Sequence, residues 1–289
     1  MVSSDPTSSN LECRVTSFST DGGATMSNNL ETYYQDHWAE VEPERMKRYE
    51  AMFQWREGQE VLIKPADVGA GQTVVDYGCG PGALSIELAR RVGSGGKVIA
   101  LDINRQFLQR TQEYAEREGF ADRVDARHMV DDKIPVDDQS VTRVLCKNVL
   151  EYVPDPEVTI AEFRRILKPG GLAHVSDSDW GTVLLEPLAE RFERIMSAAG
   201  IAFRTPLIGR KLYGIFQSAG FKGIKVQVLA TADTVGGLRP VIQNMTSYAR
   251  LSGEIEEAEL VEFLQDVDQA IEQQTYFAVL PQFLVTGTA

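Results

Sequence analysis

The chain has 289 residues, with 29 Lys and Arg against 42 Asp and Glu, a formal net charge of −13 at pH 7. That length suits one large α/β domain or two small ones with a substantial core. The acidic balance and the lack of any basic run argue against nucleic acid as a partner, because neutralising phosphates takes clustered Lys and Arg.

Residues 1–28 are rich in Ser, Thr, Gly, Asn and Asp without an apolar period, and read as a disordered tail in which Met26 offers an alternative start. The remainder, 29–289, reads as one domain. Leu30 to Trp55 is helical in pattern: Met46, Tyr49, Phe53 and Arg56 recur at spacings of three and four, and Pro43 with Glu44 marks a helix start. Strands and helices then alternate. Thr73–Tyr77 is a short β-branched strand, and Leu84, Leu88 and Val92 line a helix. Lys97–Asp102 is a second strand, followed by a helix through Phe107, Leu108, Thr111, Tyr114 and Ala115. Val124–Met129 and Val141–Cys146 are strands three and four. Ile160, Phe163 and Leu167 line a helix stopped by Lys168-Pro169-Gly170-Gly171, and Gly171–Asp177 is strand five. This alternation implies a parallel sheet with helices on both faces.

After Trp180 the rhythm changes. Leu184, Leu185, Leu188, Phe192, Ile195, Met196 and Ala199 form a helical stripe, and Lys222–Ala230 is strand-like. Leu260, Phe263, Leu264, Val267 and Ile271 mark another helix, and Tyr276–Gly287 reads as one long strand. The helical inserts near 183–218 and 238–273 are large enough to cover the carboxyl edge of the sheet, where ligands bind in open α/β folds. With the N-terminal helices they are expected to roof a closed cavity that excludes water and admits a small molecule.

No apolar run approaches a bilayer span and no signal-peptide core is present, so the expected compartment is the cytoplasm. Cys13, Cys79 and Cys146 contain no CxxC pair, and His37, His128 and His174 are scattered, so neither a disulfide framework nor a metal site is expected.

The first strand runs into Asp76-Tyr77-Gly78-Cys79-Gly80-Pro81-Gly82. Glycines at alternate positions let the backbone turn tightly and approach a ligand. Asp102 ends the second strand, where a carboxylate can accept from both hydroxyls of a ribose. A glycine-rich turn with a strand-end acid fits a nicotinamide-dependent oxidoreductase as well as a binder of other nucleosides. Asp76 separates the two: a pyrophosphate at a helix N-terminus is ill served by a carboxylate there, whereas a cationic amino group is well served.

Asp76–Gly82 resembles motif I of the class I methyltransferases that use S-adenosyl-L-methionine. Further matches follow in order: Asp102, Ile134-Pro135 leading through Asp137, Asp138 and Ser140 to Cys146, then Val149-Leu150-Glu151-Tyr152-Val153, and Leu167–Gly171. The style is that of quinone and secondary-metabolite methyltransferases. The resemblance implies a Rossmann-like seven-stranded sheet of order 3-2-1-4-5-7-6 with the last strand antiparallel. It implies a cofactor set of Asp76, Gly78, Cys79, Gly80, Gly82, Asp102, Ile103 and Lys147. Where the family often has Gly-Asp-Ala, this chain has Met129-Val130-Asp131-Asp132; Val130 takes the Asp position and Asp131 is the substitute. Tyr152 stands where the family often has His. A non-catalytic cofactor-binding protein is the remaining alternative.

For catalysis the candidates are His37 and Tyr34, in an aromatic N-terminal cluster, and Asp177 at the end of strand five. Tyr33, Trp38 and Trp180 are candidates for the acceptor wall, and Arg204 and Arg210 for holding an anionic acceptor.

Overall fold

The computed structural model describes residues 31–130 and 133–289. The tail expected over 1–28, with Cys13, and the candidate Asp131 lie outside the described residues.

Two helices, α1 (Tyr33–Ala39) and α2 (Pro43–Met52), precede the short α3 (Glu60–Ile63). Then come β1 (Thr73–Tyr77), α4 (Ala83–Val92), β2 (Lys97–Asp102), α5 (Arg105–Arg117), β3 (Val124–His128), β4 (Val141–Lys147), α6 (Pro156–Ile166) and β5 (Leu167–Ser178). The remainder is β6 (Leu184–Glu186), α7 (Ala189–Ala198), α8 (Ile208–Ser218), β7 (Lys222–Leu229), α9 (Arg239–Ser252), α10 (Glu257–Glu272), β8 (Phe277–Val279) and β9 (Gln282–Thr288).

The main sheet has seven strands in the order β3-β2-β1-β4-β5-β9-β7. Strands β1 to β5 pair parallel, and β9 inserts antiparallel between β5 and β7. Counting only its own strands, this is the expected arrangement, the last strand lying antiparallel between the fifth and sixth. β1 is buried at nearly every position because both faces are covered. Ile86, Leu88 and Ala89 of α4 pack with Val74 and Leu145 on one face; Ile160 and Phe163 of α6 pack with Val75 and Val144 on the other.

Three boundaries differ from the sequence reading. Leu184 and Leu185 are not helical: they form β6, which pairs with β8 as a separate two-stranded ribbon. Leu167 opens β5 rather than closing the preceding helix. The long strand read over Tyr276–Gly287 is broken at Leu280-Pro281, because proline cannot donate to the ladder, and its two pieces serve different sheets. The stripes of α7, α9 and α10 meet one another around Phe192, Ile195, Tyr248, Phe263 and Val267, forming a second apolar core that also takes in Tyr33 of α1.

Phe163 is fully buried and meets the Tyr77 ring edge-on at 5.0 Å. Phe163→Ala should cost about 3–5 kcal/mol, read from the urea midpoint, because the gap lies between α6 and β1 where neither element can collapse.

Candidate active site

The chain leaves β1 through Gly78, Gly80 and Gly82, all with positive φ (73°, 53° and 92°). Their surroundings differ. A Cβ on Gly78 would stand 2.4 Å from Val149 Cγ2, and one on Gly82 would stand 2.7 Å from Thr111 Oγ1. At Gly80 nothing lies within 4 Å, so a side chain there would project into open space. Gly78 and Gly82 thus permit close packing, whereas Gly80 leaves room for a ligand.

Asp102 holds this turn from the neighbouring strand. Its Oδ2 accepts from the Gly80 amide at 2.8 Å and its Oδ1 from the Asn104 amide at 2.9 Å. Asn104 in turn caps α5 through the amides of Gln106 and Phe107, and its Nδ2 donates to the Trp38 carbonyl at 2.8 Å. Asp76 lies beneath the turn and accepts from Ser85 Oγ in the first turn of α4 at 2.6 Å. Burial pushes Asp76 up to about 6 even though that bond lowers it, and pushes Asp102 up to about 6 against its backbone donors. Lys147, at the end of β4, is lowered by burial and raised by the charges of Asp76 and Asp177.

One cavity of about 580 Å³ opens at the carboxyl edge of β1, β2 and β4. Asp76, Gly78, Cys79, Gly80, Asp102, Ile103, Val130 and Lys147 all line it, as does Trp38. Gly82 does not; it sits behind the turn against Thr111. The roof differs from expectation. It consists of Gln35, Asp36, Trp38 and Ala39 of α1 with Phe53, and no residue of the inserts contributes to it among the described residues. The inserts instead support α1 from behind: Tyr248 of α9 meets the Tyr33 and His37 rings edge-on and its hydroxyl bonds to that of Tyr49 at 3.2 Å.

The remaining candidates lie outside the wall. His37 is buried among Tyr33, Trp38, Tyr152 and Tyr248, its Nδ1 donates to the Tyr33 carbonyl, and burial pushes it down to about 3, so the ring is neutral. Asp177 is spent on backbone amides, accepting from Val149, Leu150 and Ser178 at 2.9–3.2 Å. Trp180 donates to the buried Glu151 carboxyl at 2.6 Å. Arg210 forms a two-point pair with buried Asp179 (2.6 and 2.7 Å), and Arg204 lies over the Tyr34 ring, 5.7 Å from its centroid. Those contacts fasten the insert to the end of β5; they do not reach the cavity.

Sequence reasoning missed Gln35, Asp36, Phe53, Phe107, His128, Asn148 and Tyr152 as wall residues. Phe53 and Phe107 look like ordinary members of apolar helical stripes. Tyr152 had a usable signal, its place in the segment after β4. Among the described residues no group of three or more His, Cys, Asp or Glu could hold a metal ion.

A model of the methyltransferase domain matches residues 69–220, more than half of the chain. This chain belongs to the class I S-adenosylmethionine-dependent methyltransferases. The chain is 34% identical over 120 residues to a ubiquinone biosynthesis O-methyltransferase of Psychrobacter cryohalolentis, covering 39% of this chain and 44% of that one. It is 26% identical over 186 residues to a demethylmenaquinone methyltransferase of Staphylococcus carnosus, covering 57% and 74%. Its match spans about half the length of several other curated relatives. The fold is shared with phosphoethanolamine N-methyltransferase 2 of Haemonchus contortus at a TM-score of 0.60 and 16% identity, over 88% of this chain and 59% of that chain.

Asp76 and Asp102 bind protons more tightly in the folded protein than at their ordinary 3.8, so their contribution to stability is complete below that value and is lost as pH rises through about 6. Asp76→Asn removes its share of that fall. Urea midpoints of the free protein should decline less steeply in the variant between about pH 4 and about pH 6.5, and at neutral pH its midpoint should equal or exceed that of the wild type.

Proposed function

We propose that this protein binds S-adenosyl-L-methionine in the cavity beside the glycine turn and transfers its methyl group to a small-molecule acceptor beneath α1. The carrying observation is that Asp76, Gly80 and Asp102 share one wall. The residues fit the cofactor. Each Asp102 oxygen has one backbone donor and a further lone pair for the ribose hydroxyls. Gly80 leaves the turn bare, and Asp76 offers a negative charge to the cofactor's ammonium. The apolar stretch through Ile103, Phe107 and Met129 suits a purine ring.

The same geometry disfavours a nicotinamide cofactor. Asp76 is bonded to Ser85 at the start of α4, so the helix end that would hold a pyrophosphate already faces a carboxylate. The bound cofactor supplies a methyl group already activated on its sulfonium. The chain's task is then to align the acceptor and keep out water, a matter of proximity and orientation. Trp38, Phe53 and Tyr152 give that space flat apolar walls. His37 and Asp177 stand behind the wall, so catalysis rests on placement rather than on a proton acceptor at either residue. An acidic protein with a cavity of about 580 Å³ suits a small acceptor better than a nucleic acid. Among the described residues no helix is long and apolar enough to cross a membrane, and we place the protein in the cytoplasm.

Calorimetry should show binding of S-adenosylhomocysteine. Gly80→Asn should abolish it while the protein stays folded, because asparagine tolerates the positive φ of this position and its side chain enters the cavity, meeting no protein atom within 4 Å at its Cβ. Retained binding in that variant would refute the site. Affinity in the wild type should rise as pH passes upward through about 6, where Asp76 ionises to meet the ligand's ammonium, and Asp76→Asn should flatten that rise. A pH-independent affinity would remove Asp76 from the ammonium site.

A further inference from the structure

Lys147 closes β4, and since Cys146 pairs with Tyr77, the next position along faces the glycine turn at Gly78. It is half-buried and lines the cavity, and among the described residues of that wall it is the only Lys or Arg. Its two acidic neighbours are engaged by other donors. Asp76 takes the Ser85 hydroxyl, and Asp177 takes the amides of Val149, Leu150 and Ser178. Among the described residues no carboxylate lies within ion-pair reach of Lys147 Nζ, and no side chain or carbonyl accepts from it. An ammonium in such a place has given up much of its hydration and gained only distant fields in return.

We propose that Lys147 is an anion-binding residue whose ammonium pairs with a carboxylate of a molecule bound in the cavity, an assignment that rests on S-adenosylmethionine occupying that cavity. Two sources have the required chemistry: the amino-acid end of the cofactor, and an acidic acceptor. The position beside Asp76 and the glycine turn favours the first. Asp76 and Lys147 then form a charge-reversed couple that takes the two ends of one zwitterion, the acid receiving its ammonium and the lysine its carboxylate. A charged ligand end also acts on Lys147 in the same direction as Asp76 and Asp177, stabilising the protonated form.

The test uses the full chain as wild type, Lys147→Met and Lys147→Arg, with binding read by calorimetry. The probes are S-adenosylhomocysteine and methylthioadenosine, which shares the nucleoside and sulfur but lacks the amino acid. Lys147→Met should weaken S-adenosylhomocysteine by about tenfold or more, the worth of one charge-assisted contact, and change methylthioadenosine by less than about threefold. Lys147→Arg should restore most of the loss. If the methionine variant binds both nucleosides normally but the S-adenosylhomocysteine-loaded variant no longer binds benzoate that the loaded wild type does bind, the carboxylate belongs to the acceptor. Equal weakening of both nucleosides, or no loss for any of the three probes, overturns the assignment. The ligand-free methionine variant should unfold at the same or a higher temperature, since it lacks an uncontacted charge. A drop of several degrees would mark Lys147 as structural and would also overturn it. A wild type that binds neither nucleoside would bring down the assignment of the cofactor itself, and the role of Lys147 with it.

Discussion

The architecture of the site depends on Asp102. A strand must end and a helix must begin within a few residues, leaving backbone amides that face inward with no ladder to join. The Asp102 carboxylate takes the Gly80 amide from one side and the Asn104 amide from the other, and Asn104 passes the connection to the Trp38 carbonyl. Three segments far apart in sequence are thereby fixed by one buried acid: the turn after β1, the start of α5 and the end of α1. The cost shows in the raised proton affinity of the acid, which is held out of water for the sake of these contacts.

A second consequence of the arrangement is a division between two apolar cores. The sheet and its flanking helices bury one continuous body, and α7, α9 and α10 bury another around Phe263 and Val267. The joint between them is polar and specific. Trp180 donates to Glu151, Arg210 grips Asp179, and the Arg204 and Thr205 amides donate to the Glu151 carbonyl. Residues that resemble an anion-binding set in the sequence are in fact the rivets of this joint.

The sheet was legible because its strands are short, β-branched and separated by glycine-rich turns, and because β1 to β5 follow the simple alternation of a doubly wound fold. That the glycine turn, Asp102 and Lys147 would share one cavity was legible for a related reason: they sit within or next to those turns, where spacing in sequence fixes placement in space. The roof was not. Phe53 obeys a helical period that serves the core equally well, and only packing decides which way such a ring faces. The placement of Asp177 and Arg210 off the cavity wall was not legible, because a charged residue can be taken up by backbone amides or by another side chain far away in sequence. Leu184 and Leu185 misled because two leucines before a helix fit its stripe until a strand near the end of the chain claims them.

The roof of the cavity comes from a stretch of the chain that contributes no strand to the main sheet. Residues 35–53 roof the cavity, whereas the rest of its wall comes from residues between Asp76 and Pro154. Roof and wall are therefore inherited separately. Grafting a different N-terminal helix pair onto the same sheet would reshape the roof of the cavity without disturbing the glycine turn that Asp102 holds, provided that the graft keeps a free carbonyl for Asn104 to grip. A cavity built this way can change its shape through edits to two helices while the sheet beneath it stays as it is.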